Sequence, residues 1–299
     1  MPHIVRLTRV PPGYNLDALP KSTGYRINHS IREAALSCFE PGHNEFWNIL
    51  TEIAPLLFFT FIAGELSLRD YCGEASECEA RTLRQAAIAT LLATTLQHAA
   101  SLFAHVFSCC SARASRVVWY VDYAGILLNF VWNAPLMTML VSPSTMAWWP
   151  TWQAINWLAT AALLSASLLP LLGCIKREGD NFISACAASP ASMLVTALCI
   201  VPNYLLTLAV GLTVDWVACV VVLGLPLSLV VKNLNLPESC VPEGAWRDYF
   251  DCSVLHSHSL WHCCVWGLQL CYLHVITGAL DASCLPMLAP AAPSYGMFK

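Results

Sequence analysis

The chain has 299 residues, 57% of them hydrophobic and 11% charged, with a formal net charge of -4 and a mean hydropathy of +0.57. Soluble domains are about a quarter charged, so this composition belongs to a membrane protein and excludes an ordinary soluble enzyme. The small negative charge and the lack of a basic stripe exclude nucleic acid as a partner.

Residues 1–45 are polar, with Pro11, Pro12 and Pro20 and the charged stretch Lys21 to Arg26, and carry no secretory signal, so the amino terminus is expected to stay uncleaved. Within them Ser30 to Phe39 has helical spacing. Ser30 with Glu33 three residues on reads as a capping box, and the segment is expected to form a short amphipathic helix at the membrane surface.

Seven apolar segments follow, approximately Phe46 to Leu66, Thr82 to Ser108, Arg116 to Val141, Trp148 to Gly173, Ser192 to Val210, Val214 to Leu236 and Leu255 to Leu280. Each is near or above the ~20 residues that a helix needs to cross the hydrocarbon core. The expected fold is an all-α integral membrane protein, a seven-transmembrane helix bundle over 46–280 with a short tail at 281–299. Of the fifteen Lys and Arg residues, eleven flank the amino-terminal side and four the other, which predicts a cytosolic amino terminus and an extracytosolic carboxyl terminus. Trp148, Trp149 and Trp152 read as an interfacial anchor for the fourth crossing, and Pro135, Pro170, Pro202 and Pro226 as ordinary membrane-helix prolines or kinks that widen a cavity. Most of the fifteen cysteines lie inside apolar segments and read as small hydrophobes. Cys72 and Cys78, in the acidic first loop, bridge only if that loop faces an oxidising compartment. Cys109 and Cys110, at a cytosolic helix end, are either palmitoylation sites or filler thiols.

Seven crossings bring the start of the first helix, the end of the second, and the starts of the third and seventh to the cytosolic side. Those places hold Glu45, Asn48 and Glu52; Ser101 and His105; Asp122; and His258 with His262. Ionisable groups at membrane depth face the bundle interior or a watery cavity, which makes each a functional candidate. His258 and His262 stand one turn apart on one helical face, a spacing that suits either a shared metal ion or a packed, hydrogen-bonded pair. With His105 they make three nitrogen ligands, a set that suits zinc and leaves the fourth tetrahedral position open to water. Asp122 then reads as a proton acceptor or as the partner of a histidine, and Ser101 as a hydrogen-bond donor to a substrate carbonyl or as a helix-packing residue. His98, two turns deeper than His105, either supports the ligands from behind or lines the cavity. His256 points away from the pair, and His274, about 18 Å along the helix from His262, is too far to share an ion.

Thr23-Gly24-Tyr25-Arg26, His43-Asn44-Glu45-Phe46-Trp47-Asn48-Ile49, Ser101 to Cys109, Asp122 to Ile126, Pro237-Glu238 and His256 to His262 together resemble the progestin and adipoQ receptor family, which includes hemolysin III-like proteins and is distantly akin to alkaline ceramidases. The resemblance spans nearly the whole chain, and the His-Asn-Glu and Gly-Tyr-Arg runs look more like the membrane progestin receptor branch than the adiponectin receptor branch. It implies seven helices, a cytosolic amino terminus, and one zinc ion held near the cytosolic side by His105, His258 and His262, with a water near Asp122. The pattern departs at Glu52, where relatives usually have histidine, at Ser259, where glutamine is common, and in the eighth apolar segment that membrane progestin receptors often show and this chain lacks.

Two functions follow. The first is a receptor in the plasma membrane or an internal membrane for a lipid, a steroid of the progestin kind or an adipokine, with zinc tying the cytosolic helix ends and a signalling partner on the amino-terminal side. The alternative is a zinc-dependent amidohydrolase acting on a ceramide-like lipid, its catalytic groups Asp122 and Ser101; the two can coexist if the released lipid is the signal. A bundle with a purely structural zinc is the third reading.

Overall fold

The computed structural model describes residues 4–6, 9–11, 14, 23–68, 77–141, 143–168, 240, 252 and 256–284. Two short strands, β1 (Ile4–Val5) and β2 (Tyr25–Arg26), pair antiparallel, Ile4 opposite Arg26. Helices α1 (Ile31–Ser37), α2 (Phe46–Leu68), α3 (Glu77–Phe107) and α4 (Ala112–Val141) follow, then a 3-10 turn (Pro143–Trp148), α5 (Trp149–Leu168) and α6 (Ser257–Cys284). Among the described residues four helices are long and apolar enough to cross a membrane: Phe46–Leu68, Ala80–Phe107, Ala112–Leu140 and Ser257–Leu280. They coincide with the first, second, third and seventh apolar segments. The fifth and sixth segments lie outside the described residues, as do Pro170, Pro202, Pro226, Pro237-Glu238, Cys72 and residues 285–299 of the tail, whose first four residues instead continue α6.

Long apolar sequence makes these helices because in hydrocarbon every backbone N–H and C=O must be satisfied within the segment. Leu57, Phe61, Leu92, Leu96 and Phe103 point outward, as residues facing lipid do. The inward faces form one core: Phe59, Ala63 and Leu66 of α2, Leu83, Ala87 and Leu91 of α3, Leu128, Trp132 and Leu136 of α4, and Ile276 and Leu280 of α6. α3 sits at its centre, packed on α2, α4 and α6. Small residues on α3 let the neighbours close in, most tightly at Gly125 of α4, where an added Cβ would stand 2.9 Å from Ala100 Cβ and 3.2 Å from Gln97 Cα. Pro55 and Pro135 lie within α2 and α4 without ending them. Of the expected tryptophan anchor, Trp148 is exposed. Trp149 instead joins the core and donates from its indole to Gln85 Oε1 at 3.2 Å.

The capping box is formed: Ser30 Oγ accepts from Glu33 N at 3.2 Å, and Glu33 Oε2 accepts from Ser30 N at 2.8 Å. The helix is shorter than its sequence pattern, and it buries small residues, Ala34 and Ser37, while Ile31, Leu36 and Phe39 point outward. The segment around β2 is tied over the start of α2. Gly24, at φ +89°, accepts from Asn44 N at 3.1 Å, and a Cβ there would meet that same nitrogen at 2.8 Å, so only glycine fits the turn.

Candidate metal centre

His105 stands in the last turn of α3, and His258 and His262 in the first two turns of α6. All three rings are buried. Their centroids lie 5.1 Å (His105–His258), 5.0 Å (His105–His262) and 4.7 Å (His258–His262) apart, and one nitrogen from each falls within 4.8 Å of the others. Trp119 of α4 covers the cluster, edge-on to His105 at 5.1 Å.

The start of α2 holds two of these rings from behind. Glu45 Oε2 lies 2.6 Å from Nδ1 of His105, and Glu52 Oε1 lies 2.9 Å from Nδ1 of His262, with Thr51 Oγ1 3.2 Å from the same nitrogen. A carboxylate at Nδ1 keeps the proton there and leaves the Nε2 lone pair free to bind a cation, the arrangement common to metal-ligating histidines. His105 Nε2 is buried and makes no hydrogen bond among the described residues. A buried, unsatisfied imidazole nitrogen is costly in isolation, and a metal ion held by the three rings would remove that cost. Three imidazoles suit zinc among the common divalent ions, so the donor set fits the group that the sequence leads one to expect.

The helix starts are fixed by polar contacts around the cluster. Asn48 Nδ2 donates to Glu45 Oε2 at 2.7 Å and its Oδ1 accepts from Ser259 Oγ at 2.8 Å, linking α2 to α6. His256 caps α6: its Nδ1 accepts from Ser259 N at 3.2 Å. Arg26 reaches in from β2, and its Nη2 donates to the backbone carbonyl of His105 at 2.6 Å.

Compared with known protein families, residues 41–273 match the one described as haemolysin-III related. The chain belongs to the haemolysin-III related family. That family contains the progestin and adipoQ receptors, and membership together with four apolar helices makes the chain an integral, multi-pass membrane protein. A comparison with curated proteins gives no match.

Within this haemolysin-III related chain, the three expected ligand histidines come together, and Asp122 and Ser101 are buried on α4 and α3. Asp122 follows Trp119 by one turn on α4. Ser101 precedes His105 by one turn. Glu45 and Glu52 were legible as polar residues at a helix start, but not as partners of His105 and His262. Gln269, two turns beyond His262 on α6, gave no sign in the sequence of its bond to His98 at 2.6 Å. Cys109 is buried, donates to the Val106 carbonyl at 3.3 Å, and has its thiol pushed up to about 12 by burial, which suits a filler thiol rather than a reactive one.

Proposed function

We propose that the chain is a seven-span membrane receptor for a lipid or steroid, its amino terminus in the cytosol, built around one zinc ion held by His105, His258 and His262. The observation that carries this reading is the convergence of three buried imidazoles whose outer nitrogens on His105 and His262 are already held by carboxylates. The seven apolar segments and the skew of Lys and Arg support the span count and orientation. The presence of progestin and adipoQ receptors in the family supports the receptor role, and the progestin-like motifs favour a steroid or related lipid over an adipokine. On this reading the metal fastens the cytosolic ends of α3 and α6, and the amino-terminal segment is the surface offered to a signalling partner.

A specific feature favours a second reading, a ceramidase-like amidohydrolase: among the described residues the candidate ligand set is three histidines, and Asp122 is buried on α4. His105, His258 and His262 would hold a zinc ion there, and the ion would supply Lewis acidity. Asp122 would accept a proton in the cluster, and the Ser101 hydroxyl would donate to the amide carbonyl of the substrate. Burial under Trp119 would exclude bulk water.

The test is to purify the full chain in detergent, measure zinc by elemental analysis, and follow progestin binding and ceramide turnover in wild type, Asp122→Ala and His258→Ala. The receptor reading expects one zinc per chain, saturable progestin binding and no turnover. Turnover that disappears in Asp122→Ala with zinc retained establishes the hydrolase instead. Wild-type protein without zinc overturns both.

A further inference from the structure

Glu52 is shared between two imidazoles, and only one of them belongs to the metal cluster. Its Oε1 lies 2.9 Å from His262 Nδ1, and its Oε2 lies 2.6 Å from Nδ1 of His98, two turns deeper along α3 than His105. His98 Nε2 lies 2.6 Å from Oε1 of Gln269 on α6, and its ring stacks on Phe59 of α2 at 5.9 Å. Gln269 Nε2 donates to Gln97 Oε1 at 3.3 Å, and the same oxygen accepts from Asn129 Nδ2 on α4. Asn129 Oδ1 accepts from Thr94 Oγ1 at 3.0 Å and from Asn133 Nδ2 at 2.7 Å.

The direction of this chain is set at its far end. Asn133 Nδ2 also lies 3.0 Å from the backbone carbonyl of Asn129, a group that can only accept. That makes the Asn133 side chain the donor, the Asn129 oxygen the acceptor, and the Asn129 amide the donor to Gln97. Gln269 must then turn its own amide toward Gln97 and its oxygen toward His98. His98 therefore donates to Gln269 from Nε2 and meets the carboxylate with Nδ1, so both of its nitrogens are committed and neither is available to an ion.

Every member is buried, and a polar chain inside an apolar bundle is tolerated only when it is complete. A chain that merely fastened α3 to α4 and α6 would not need to end on a metal-ligating histidine. We propose that Glu52 is a positioning residue for the metal centre and that His98 and Gln269 act through it. The chain orients the carboxylate, and the carboxylate turns the His262 ring so that Nε2 faces the ion. Metal affinity is thereby coupled to side-chain packing at the middle of the bundle. This inference rests on the reading of His105, His258 and His262 as metal ligands.

The test uses the full chain in detergent, with zinc affinity measured by competition against a chelator and site geometry by the absorption bands of the cobalt(II)-substituted protein. Glu52→Gln and His98→Gln are each expected to weaken zinc binding about 10–100-fold and to shift the cobalt bands. The double variant is expected to bind no more weakly than Glu52→Gln alone, because His98 has no route to the ion except through that carboxylate. If Glu52→Gln does not fold, Glu52→Asp, which keeps the charge and withdraws it, carries the same measurement. Wild type that binds zinc alongside a His98→Gln protein of unchanged affinity and spectrum overturns this inference and spares the metal centre. Losses that simply add in the double variant overturn the route through Glu52. Wild type that binds no zinc overturns the metal centre and this inference with it.

Discussion

Arg26 and His105 are joined across 79 residues of sequence: the guanidinium of the second short strand donates to the backbone carbonyl of the histidine in the last turn of α3, at 2.6 Å. Its other arm donates to Ser37 Oγ, which itself donates to the Ala34 carbonyl at 2.7 Å. One permanently charged, planar group therefore locks the amino-terminal segment, α1 and the carboxyl-terminal end of α3 together. Its charge also suits the negative end of that helix dipole.

Removing the fork should loosen the helix that carries His105 from outside the cluster. Arg26→Ala leaves the His105 carbonyl and the Ser37 hydroxyl short of a buried donor, which costs about 1–3 kcal/mol. Arg26→Lys keeps the charge but cannot reach both acceptors in one plane. Thermal unfolding in detergent should give the order wild type, Arg26→Lys, Arg26→Ala from most to least stable. A lysine variant as stable as wild type would mean that charge alone matters here.

His43 should make the amino-terminal region sensitive to acid. Burial, aided by the Arg26 charge, lowers this imidazole from 6.5 to about 4. Its neutral form is satisfied, with Nε2 donating to the Ser37 carbonyl at 2.9 Å and Nδ1 accepting from Glu45 N at 3.1 Å. The unfolded chain takes up the proton at a higher pH than the folded one. The stabilisation is therefore whole above about pH 6.5 and is lost as pH falls toward 4, on the order of 3 kcal/mol in all. Unfolding curves between pH 7.5 and 4.5 should slope less steeply for His43→Gln than for wild type; parallel slopes would rule this out.

Gly125 should tolerate no side chain. Gly125→Ala brings a methyl to 2.9 Å from Ala100 Cβ, so α3 and α4 must part, at about 1–3 kcal/mol by the cost of overpacking. Because the same glycine lies against Gln97, the polar chain below the histidine cluster should be disturbed as well. Ala100→Gly in the same protein should recover most of the lost melting temperature. No recovery would locate the strain elsewhere.

Much of the candidate site could be read before any fold was known, for reasons that differ from residue to residue. His258 and His262 are neighbours because of helical geometry alone, so their pairing is local. His105 could be added because length and hydropathy make α3 and α6 cross in opposite directions and bring its carboxyl-terminal end beside the start of α6. Glu45 and Glu52 were visible as costly groups at a helix start, but not their assignment, since either could have met any of several histidines. His98 left two options open in the sequence, and the structure makes it the link between Glu52 and Gln269. Trp149 was misplaced because aromatic residues at a helix start suit a membrane interface and a buried packing site equally well, and only the position of Gln85 on α3 decides between them.

By itself, the sequence determined that the chain enters a membrane, where four of its long apolar helices lie, and which imidazoles share a helical face. These follow from local rules: hydrocarbon tolerates only backbone bonded within its own segment, and a helix repeats every 3.6 residues. Tertiary structure alone decided that Glu45 meets His105, that Glu52 meets both His262 and His98, and that Arg26 meets the backbone carbonyl of His105. A hydrogen bond depends on a few tenths of an ångström between groups that are 46 to 211 residues apart in the chain, and that distance is set only when whole helices have packed.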